Sequence, residues 1–350
     1  MFKREPAPLN PLVLIMKKNV NQSLASPDAF RRRPSQAEPT EHHYQECDSQ
    51  GFVFVVESTF PGGLEWFASN RNWIHAKLKE HGAIIFRGFT NQAASEFHDW
   101  MITVCSRTLK YEGRSSPRTK VFENVYTSTD YPPDRRIPFH NESSYRREFP
   151  TFIAFYCARP AEGGGQTGLV RTDQMLGRIP ESIRLRFEER KWMYVRNFQP
   201  GVGMSWQESF CTDDKAQIEA HCRRESMTFQ WLSNVHLQTR AIRDPIIVHP
   251  VTGEKCWFNH ACFFHRTSLD PDIRAMLEEQ LGVEYLPTNS FYGDGGEIDA
   301  KTIDQIRQAY LVNSVNIEWQ TGDLLLVDNI MTAHCRAPYQ GNRLIYAAMA

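Results

Sequence analysis

The chain has 350 residues, 41% of them hydrophobic and 12% aromatic, enough to bury a sizeable core in one large domain or two small ones. A formal net charge of -1 leaves no electrostatic signature of a nucleic-acid or membrane-surface binder, and the longest aliphatic run, Pro11–Met16, is far shorter than the roughly 20 residues of a spanning helix. Eight scattered cysteines without a C-x-x-C pair exclude an obvious disulfide framework and suggest reduced thiols in a cytoplasmic setting.

In chain order, residues 1–46 are polar and mixed, and read as a loosely ordered arm. Its basic run, Arg31–Pro34, is taken as a solvated patch, and Pro11–Met16 is followed by no clear small-residue cleavage site of a leader. Residues 47–350 are expected to form one domain. GFVFVVES (51–58) predicts a strand. The apolar spacing of Leu64, Phe67, Ile74 and Leu78 predicts a helix stopped at Gly82. AIIFRGF (83–89) predicts a buried strand, and 95–105 a helix with Ser95 as N-cap. Short β-type runs follow at 120–128, 151–160 and 168–172. Helices are predicted at 181–190, 213–224, 270–281 and 300–310, with a strand at 191–198, and the chain closes on strands at 315–319, 323–329 and 343–350. Many short strands with peripheral helices point to a mainly β core decorated by helices, not a βαβ series.

Within IPFHNESSYRREF (137–149), His140 and Glu142 stand two residues apart. On a strand such residues share a face, so the two side chains can converge on a divalent metal. A third ligand is needed, and two regions compete. In WFNHACFFHRTS (257–268), His260 and His265 have a spacing that aligns poorly on either a strand or a helix. In the distal block, strand 324–327 runs through a polar turn to His334, and Arg343 opens the next strand. An arginine next to a metal ligand suggests a metal-bound organic acid, because its planar fork matches a carboxylate. Two histidines and one carboxylate on one face leave three positions open, the arrangement of non-haem Fe(II) oxygenases. The plainer alternative is a structural His140–Glu142 hydrogen bond with His334 capping a turn.

Taken together, HGAIIFRGF (81–89), VYTSTDYPP (125–133), IPFHNES (137–143), ARPAEGGGQT (158–167), HPVTGEKCWFNHACFFH (249–265), FYGDGGEI (291–298) and GDLLLVDNIMTAH through GNRLIYAAMA (322–350) resemble the TauD/TfdA family of Fe(II)- and 2-oxoglutarate-dependent dioxygenases. Within it the chain looks like the syringomycin-biosynthesis (SyrP-like) branch, near the clavaminate synthase-like group. The resemblance implies a double-stranded β-helix (jelly-roll) core, iron held by His140, Glu142 and His334, and the distal carboxylate of 2-oxoglutarate bound by Thr167 and Arg343. O2 is the further co-substrate, and succinate and CO2 are the by-products. The chain departs from many relatives at Cys335 and Ala337 after the distal histidine, at Leu344 after Arg343, and in RTDQM (171–175) after the threonine.

The activity this implies is hydroxylation of an unactivated C–H of an amino acid or peptidyl unit in specialised metabolism. The substrate would be free or tethered to a carrier protein of a nonribosomal peptide or polyketide assembly line. Epoxidation or desaturation by the same chemistry, or a non-catalytic metal-binding jelly-roll serving as an interaction module, are the alternatives. Glu142 argues against halogenation, which needs that ligand position vacated. Tyr131, Trp206, His260, His265 and Arg336 are candidates for the substrate side, each with a competing role in the core or behind the ligands.

Overall fold

The computed structural model describes residues 42–46, 52–58, 63–89, 93–111, 118–312 and 314–350. Most of the expected N-terminal arm therefore lies outside the described residues. Within it, His42–Glu46 forms a strand paired with Val53–Ser58.

Among the described residues the largest sheet has eight strands. Its centre is Leu324–Asp328, flanked by Ala83–Arg87 and Phe152–Arg159, and Phe152–Arg159 pairs in turn with Leu344–Met349. Side chains alternate between faces with the period of two that a strand imposes. Ile84, Phe86, Tyr156, Leu324 and Leu326 point outward onto helices Leu64–Ser69, Arg71–His81 and Ala94–Cys105, meeting Phe67, Ile74, Leu78 and Trp100. Ala83, Ile85, Phe155, Leu325, Val327 and Ala347 point inward and meet Leu169 and Ile317 of a second sheet. Leu324–Val327 are fully buried because the central strand is covered on both faces. Truncating Leu325 to Ala there costs about 2–5 kcal/mol.

The second sheet has four strands, ordered Val315–Ile317, Thr167–Arg171, Thr332–Arg336 and Ile137–His140. The two sheets, antiparallel except for the parallel pair Val53–Ser58 and Ala83–Arg87, lie face to face and make the jelly-roll core. Between Thr167–Arg171 and its neighbour Val315–Ile317 the chain leaves the barrel and builds a lobe. The lobe contains its own sheet of Met227–Trp231, Leu237–Arg243, Trp192–Phe198 and Thr288–Tyr292. It packs Trp192, Tyr194, Trp257, Phe264 and Tyr310 against Phe139, Val170, Ala333 and Cys335, the face of the second sheet turned away from the first.

Local chemistry changes two predicted elements. The helix expected through 64–82 is broken at Asn70, whose side-chain amide donates to the Trp66 carbonyl at 2.9 Å and so ends the first segment. The second segment stops at Gly82, whose φ of 80° an L side chain resists. The helix expected to start at Ser95 starts at Ala94. Its first turn is closed by the Glu96 carboxylate accepting from the Ala93 N–H at 3.2 Å, not by a serine cap.

Candidate metal and cofactor site

Ile137–His140 and Thr332–Arg336 pair antiparallel, and the register sets His140 opposite His334, with ring centroids 4.4 Å apart. Both rings lie on the inward face of the second sheet. Glu142 reaches the same point by another route than strand alternation. The strand ends at His140, and Glu142 sits in the turn that follows. That turn is held by Asn329, whose Oδ1 accepts from the Glu142 N–H at 2.6 Å and whose Nδ2 donates to the Glu142 carbonyl at 3.0 Å and to Pro150 at 2.8 Å. Asn141 returns a bond of 2.7 Å to the Asn329 carbonyl. Asp328 fixes the same corner: its Oδ1 accepts from the Ile330 and Met331 N–H groups, and its Oδ2 accepts from His249 Nε2 at 3.0 Å. His249 Nδ1 accepts from two backbone N–H groups, so its proton sits on Nε2.

One ligand atom from each of His140, Glu142 and His334 lies within 4.8 Å of the others. The donor set suits a divalent transition metal. His140 Nδ1–H donates to the Pro138 carbonyl at 2.9 Å, which leaves the Nε2 lone pair free. Among the described residues the buried Nδ1 of His334 has no hydrogen-bond partner. Burial lowers the basicity of His140 against the opposing pull of Glu142. Burial, with His140 and Arg118 close by, lowers that of His334 further, so both rings are in the neutral form that binds metal. The Oε2 of Glu142 accepts from Arg118 Nη2 at 2.7 Å, a buried ion pair in which the guanidinium also lies 4.5 Å from the Tyr111 ring centre.

These three side chains line one end of a cavity of about 260 Å³, and Thr167 and Arg343 line it too. Thr167 is buried, and its Oγ1 accepts from Trp319 Nε1 at 3.0 Å. Arg343, just before the last strand, donates to the Gly165 carbonyl at 3.2 Å and Ser128 Oγ at 3.3 Å. Among the described residues Arg343 forms no ion pair with a carboxylate. Burial, reinforced by nearby Arg336, pulls its guanidinium down to about 10. A half-buried cation on a cavity wall with no carboxylate partner is a site for an anion. The chain reaches this corner through Gly164, where φ is 71° and an added Cβ would meet the Pro338 carbonyl at 2.3 Å.

The substrate-side candidates separate. Tyr131 and His265 line the cavity. Arg336 lines it as well, but its guanidinium donates to the carbonyls of Tyr131, Pro132 and Arg135 and so ties down the segment at the cavity rim. His260 stands behind His140, ring to ring at 5.3 Å, with its Nδ1 2.6 Å from Ser144 Oγ. Trp206 is not among the cavity walls. It packs on Trp231, with ring centres 5.4 Å apart, in a cluster with Phe198 and Ile218, because a large aromatic ring on a short helix is buried most readily against the lobe sheet. Arg118, Asn329, Arg196 and Asn197 were not foreseen. Asp-Asn before the distal histidine was the visible hint for Asn329, since both residues favour turns that hydrogen-bond their own backbone.

Comparison with known proteins agrees with this architecture. The family described as taurine catabolism dioxygenase TauD, TfdA matches residues 51–349. The dapdiamide synthesis protein DdaC of Enterobacter agglomerans is 35% identical over 84% of this chain and 89% of its own length. A clavaminate synthase-like protein of Arabidopsis thaliana is 29% identical over 89% of this chain and 96% of its own. Among solved structures, PvcB of Pseudomonas aeruginosa has the same fold, with a TM-score of 0.52 at 14% identity over 91% of this chain and 94% of that one. No helix among the described residues is long and apolar enough to cross a membrane. On this match the chain belongs to the TauD/TfdA family, and it is an Fe(II)- and 2-oxoglutarate-dependent dioxygenase.

Proposed function

We propose that His140, Glu142 and His334 hold the iron, that Thr167 and Arg343 bind the distal carboxylate of 2-oxoglutarate, and that the enzyme hydroxylates an unactivated C–H of an amino-acid or peptidyl unit in natural-product biosynthesis. The observation that carries the reading is a cavity with a two-histidine, one-carboxylate cluster and, on the same walls, a half-buried arginine that pairs with no carboxylate among the described residues. When bound, the metal and the 2-oxo acid supply O2 activation, with succinate and CO2 released and one oxygen atom delivered to the substrate.

The protein's own contribution is placement. The paired strands fix the two imidazoles, Asn329 fixes the carboxylate, and Arg118 holds its second oxygen. Arg343 and Thr167 set how far the cosubstrate reaches into the cavity, and the lobe closes the opposite wall against water. Glu142 fills the ligand position that a halide would need, which argues against halogenation. The likeness to a dapdiamide synthesis protein supports a role in natural-product synthesis, and the substrate is read as free or carrier-bound. Epoxidation and desaturation differ from hydroxylation only in what the cavity sets beside the metal. A purely structural metal module would have no use for the Arg343 site.

The test is succinate formation from 2-oxoglutarate with Fe(II) under air, with free and carrier-tethered amino acids as candidate substrates. Stimulated succinate release with an oxygenated product supports the reading. Failure of the iron-loaded protein to bind 2-oxoglutarate would overturn it.

A further inference from the structure

Asn329 holds the backbone of Glu142 from the barrel, but the residues that follow turn to the lobe. Ser143 has a φ of 57°, a left-handed conformation that persists in a non-glycine residue where the surroundings hold it. From Ser144 to Arg147 every residue is tied to the lobe. Ser144 Oγ lies 2.6 Å from His260 Nδ1, and the Tyr145 ring packs on Tyr194, His260 and Phe264. The Tyr145 carbonyl accepts from Arg243 Nε at 3.1 Å. Arg146 Nη2 donates to Glu225 Oε1 at 3.1 Å, and the Arg147 N–H donates to Glu225 Oε2 at 2.8 Å. Arg243 Nη2 in turn donates to the Glu225 carbonyl at 2.6 Å, so the end of strand Leu237–Arg243 and the end of helix Lys215–Arg224 grip the segment together.

Glu225 is poorly placed for its own helix. It is the C-cap of Lys215–Arg224, where the last carbonyls present negative partial charge, and it is buried. Helix dipole and burial both disfavour a carboxylate there. The group nevertheless sits below the usual carboxylate range: the burial that would raise it is outweighed by the Arg147 N–H and by the Arg146 guanidinium. Its two oxygens are spent on residues 146 and 147, so the position is explained by what it holds and not by the helix it ends.

We infer that Glu225, seated by Arg243, is a positioning residue for the metal-binding carboxylate: the lobe clamps the exit of the turn whose entry Asn329 fixes, and so keeps Glu142 aimed at the two histidines. This rests on the reading of Glu142 as a metal ligand given above. Glu225 stands outside the walls of the large cavity and acts only through residues 143–147. With the exit released, Glu142 would still have Arg118 at 2.7 Å from Oε2, and that ion pair would compete with the metal for the carboxylate.

The test is calorimetric titration of untagged, metal-free protein with Ni(II), which binds imidazole sites more tightly than Mn(II). Glu225→Ala should weaken Ni(II) binding about tenfold, the lower end of the range for residues that orient a ligand. Glu225→Gln, which keeps the shape and one acceptor but loses the charge, should weaken it roughly threefold. Trp206→Ala loosens the lobe elsewhere and should change the affinity by less than about twofold. Because Glu225 acts through Glu142, adding Glu225→Ala to Glu142→Ala should weaken the remaining two-histidine site by less than about twofold. Unchanged Ni(II) binding in Glu225→Ala, an equal loss in Trp206→Ala, or the same tenfold loss repeated in the Glu142→Ala background would each overturn the inference. If Glu225→Ala does not fold, Glu225→Gln in the same two backgrounds decides. If Glu142→Ala binds too weakly to titrate, the contrast with Trp206→Ala decides. A wild type that binds no Ni(II) would instead sink the metal site itself, so the two failures are told apart.

Discussion

On the barrel side of the cavity, His140 and His334 are placed by one rung of an antiparallel pair, and Glu142 by a turn whose hydrogen bonds close on Asn329. On the lobe side, Arg196, Asn197, Phe263, His265 and Pro287 reach the cavity from separate strands, helices and connections. The barrel wall is set by strand register and by the Asn329 hydrogen bonds that hold the Glu142 turn. The lobe wall is set by side-chain packing, which can be repacked while the chemistry stays in place. Changes on the barrel side should therefore remove the reaction, and changes on the lobe side should redirect or weaken it.

The sharpest break would come at the ligands. His140→Ala and His334→Ala should reduce turnover to background and weaken Mn(II) binding by titration, with the circular dichroism of the fold retained, because each removes one of the three proposed protein ligands. Glu142→Ala should do the same, and Glu142→Asp should keep part of the activity. Full activity in Glu142→Ala would end the three-ligand reading. At the cosubstrate end, Arg343→Ala should raise the apparent KM for 2-oxoglutarate by about a hundredfold, from the loss of roughly 3 kcal/mol in a charged bidentate contact. Arg343→Lys should recover part of this. Arg336→Ala should act mainly on the prime-substrate constant, because its guanidinium holds the rim carbonyls of 131–135. A larger 2-oxoglutarate defect in Arg336→Ala than in Arg343→Ala would reverse the assignment.

Asn329→Ala touches neither metal nor substrate, yet it frees the Glu142 turn. Metal affinity should fall by roughly 10–100-fold, the range for residues that orient a ligand, and unchanged Mn(II) binding would show the turn to be self-supporting. On the lobe side, Trp206→Ala should cost about 3–5 kcal/mol in denaturant unfolding through its packing on Trp231, while the 2-oxoglutarate constant stays put. A large cosubstrate defect there would erase the distinction between the two walls.

The smallest effect concerns pH. Burial, with Arg307, Arg266 and Arg274 nearby, pulls His265 down from 6.5 to about 4, against the opposing bond to the Ile298 carbonyl. A depressed folded value means that the stability contributed by the neutral ring is present above 6.5 and drains away as pH falls towards 4. His265→Gln should flatten part of the acid limb of the stability curve between those values, and an unchanged limb would place that proton uptake elsewhere.

What the sequence made legible follows from the range of the interactions. The strands of the central sheet were visible as short continuous apolar runs, because a strand covered on both faces buries every side chain, and helix 181–190 was visible as a local segment. The His140–Glu142 pair was visible as a motif, although strand alternation is not what brings Glu142 round. Asn329 and Arg118 were not legible, because their partners lie far off in the chain, with 187 positions separating Asn329 from Glu142. Trp206 was selected by residue type, and residue type cannot tell a cavity wall from a core contact when an aromatic ring serves both. Arg196 sits in a strand whose residues are all buried, and nothing in the local pattern marks Arg196, Asn197 and Phe198 as the stretch that lines the cavity.

The order of the central sheet has a consequence for a chain that emerges from the ribosome from its N-terminus. Leu324–Asp328 lies between Ala83–Arg87 and Phe152–Arg159, and Leu344–Met349 closes on the other edge of Phe152–Arg159, with Ala350 and Phe152 exchanging both backbone bonds. Until the final stretch has been synthesised, the early strands have open edges and the outer helices have only part of a surface to cover. The lobe's sheet and helices are synthesised before residue 315, but their core is completed only when Ala333 and Cys335 of the second sheet arrive. Nascent chains stalled before Leu324 should thus need a holding chaperone along those edges, and loss of the last ten residues should act on the whole barrel.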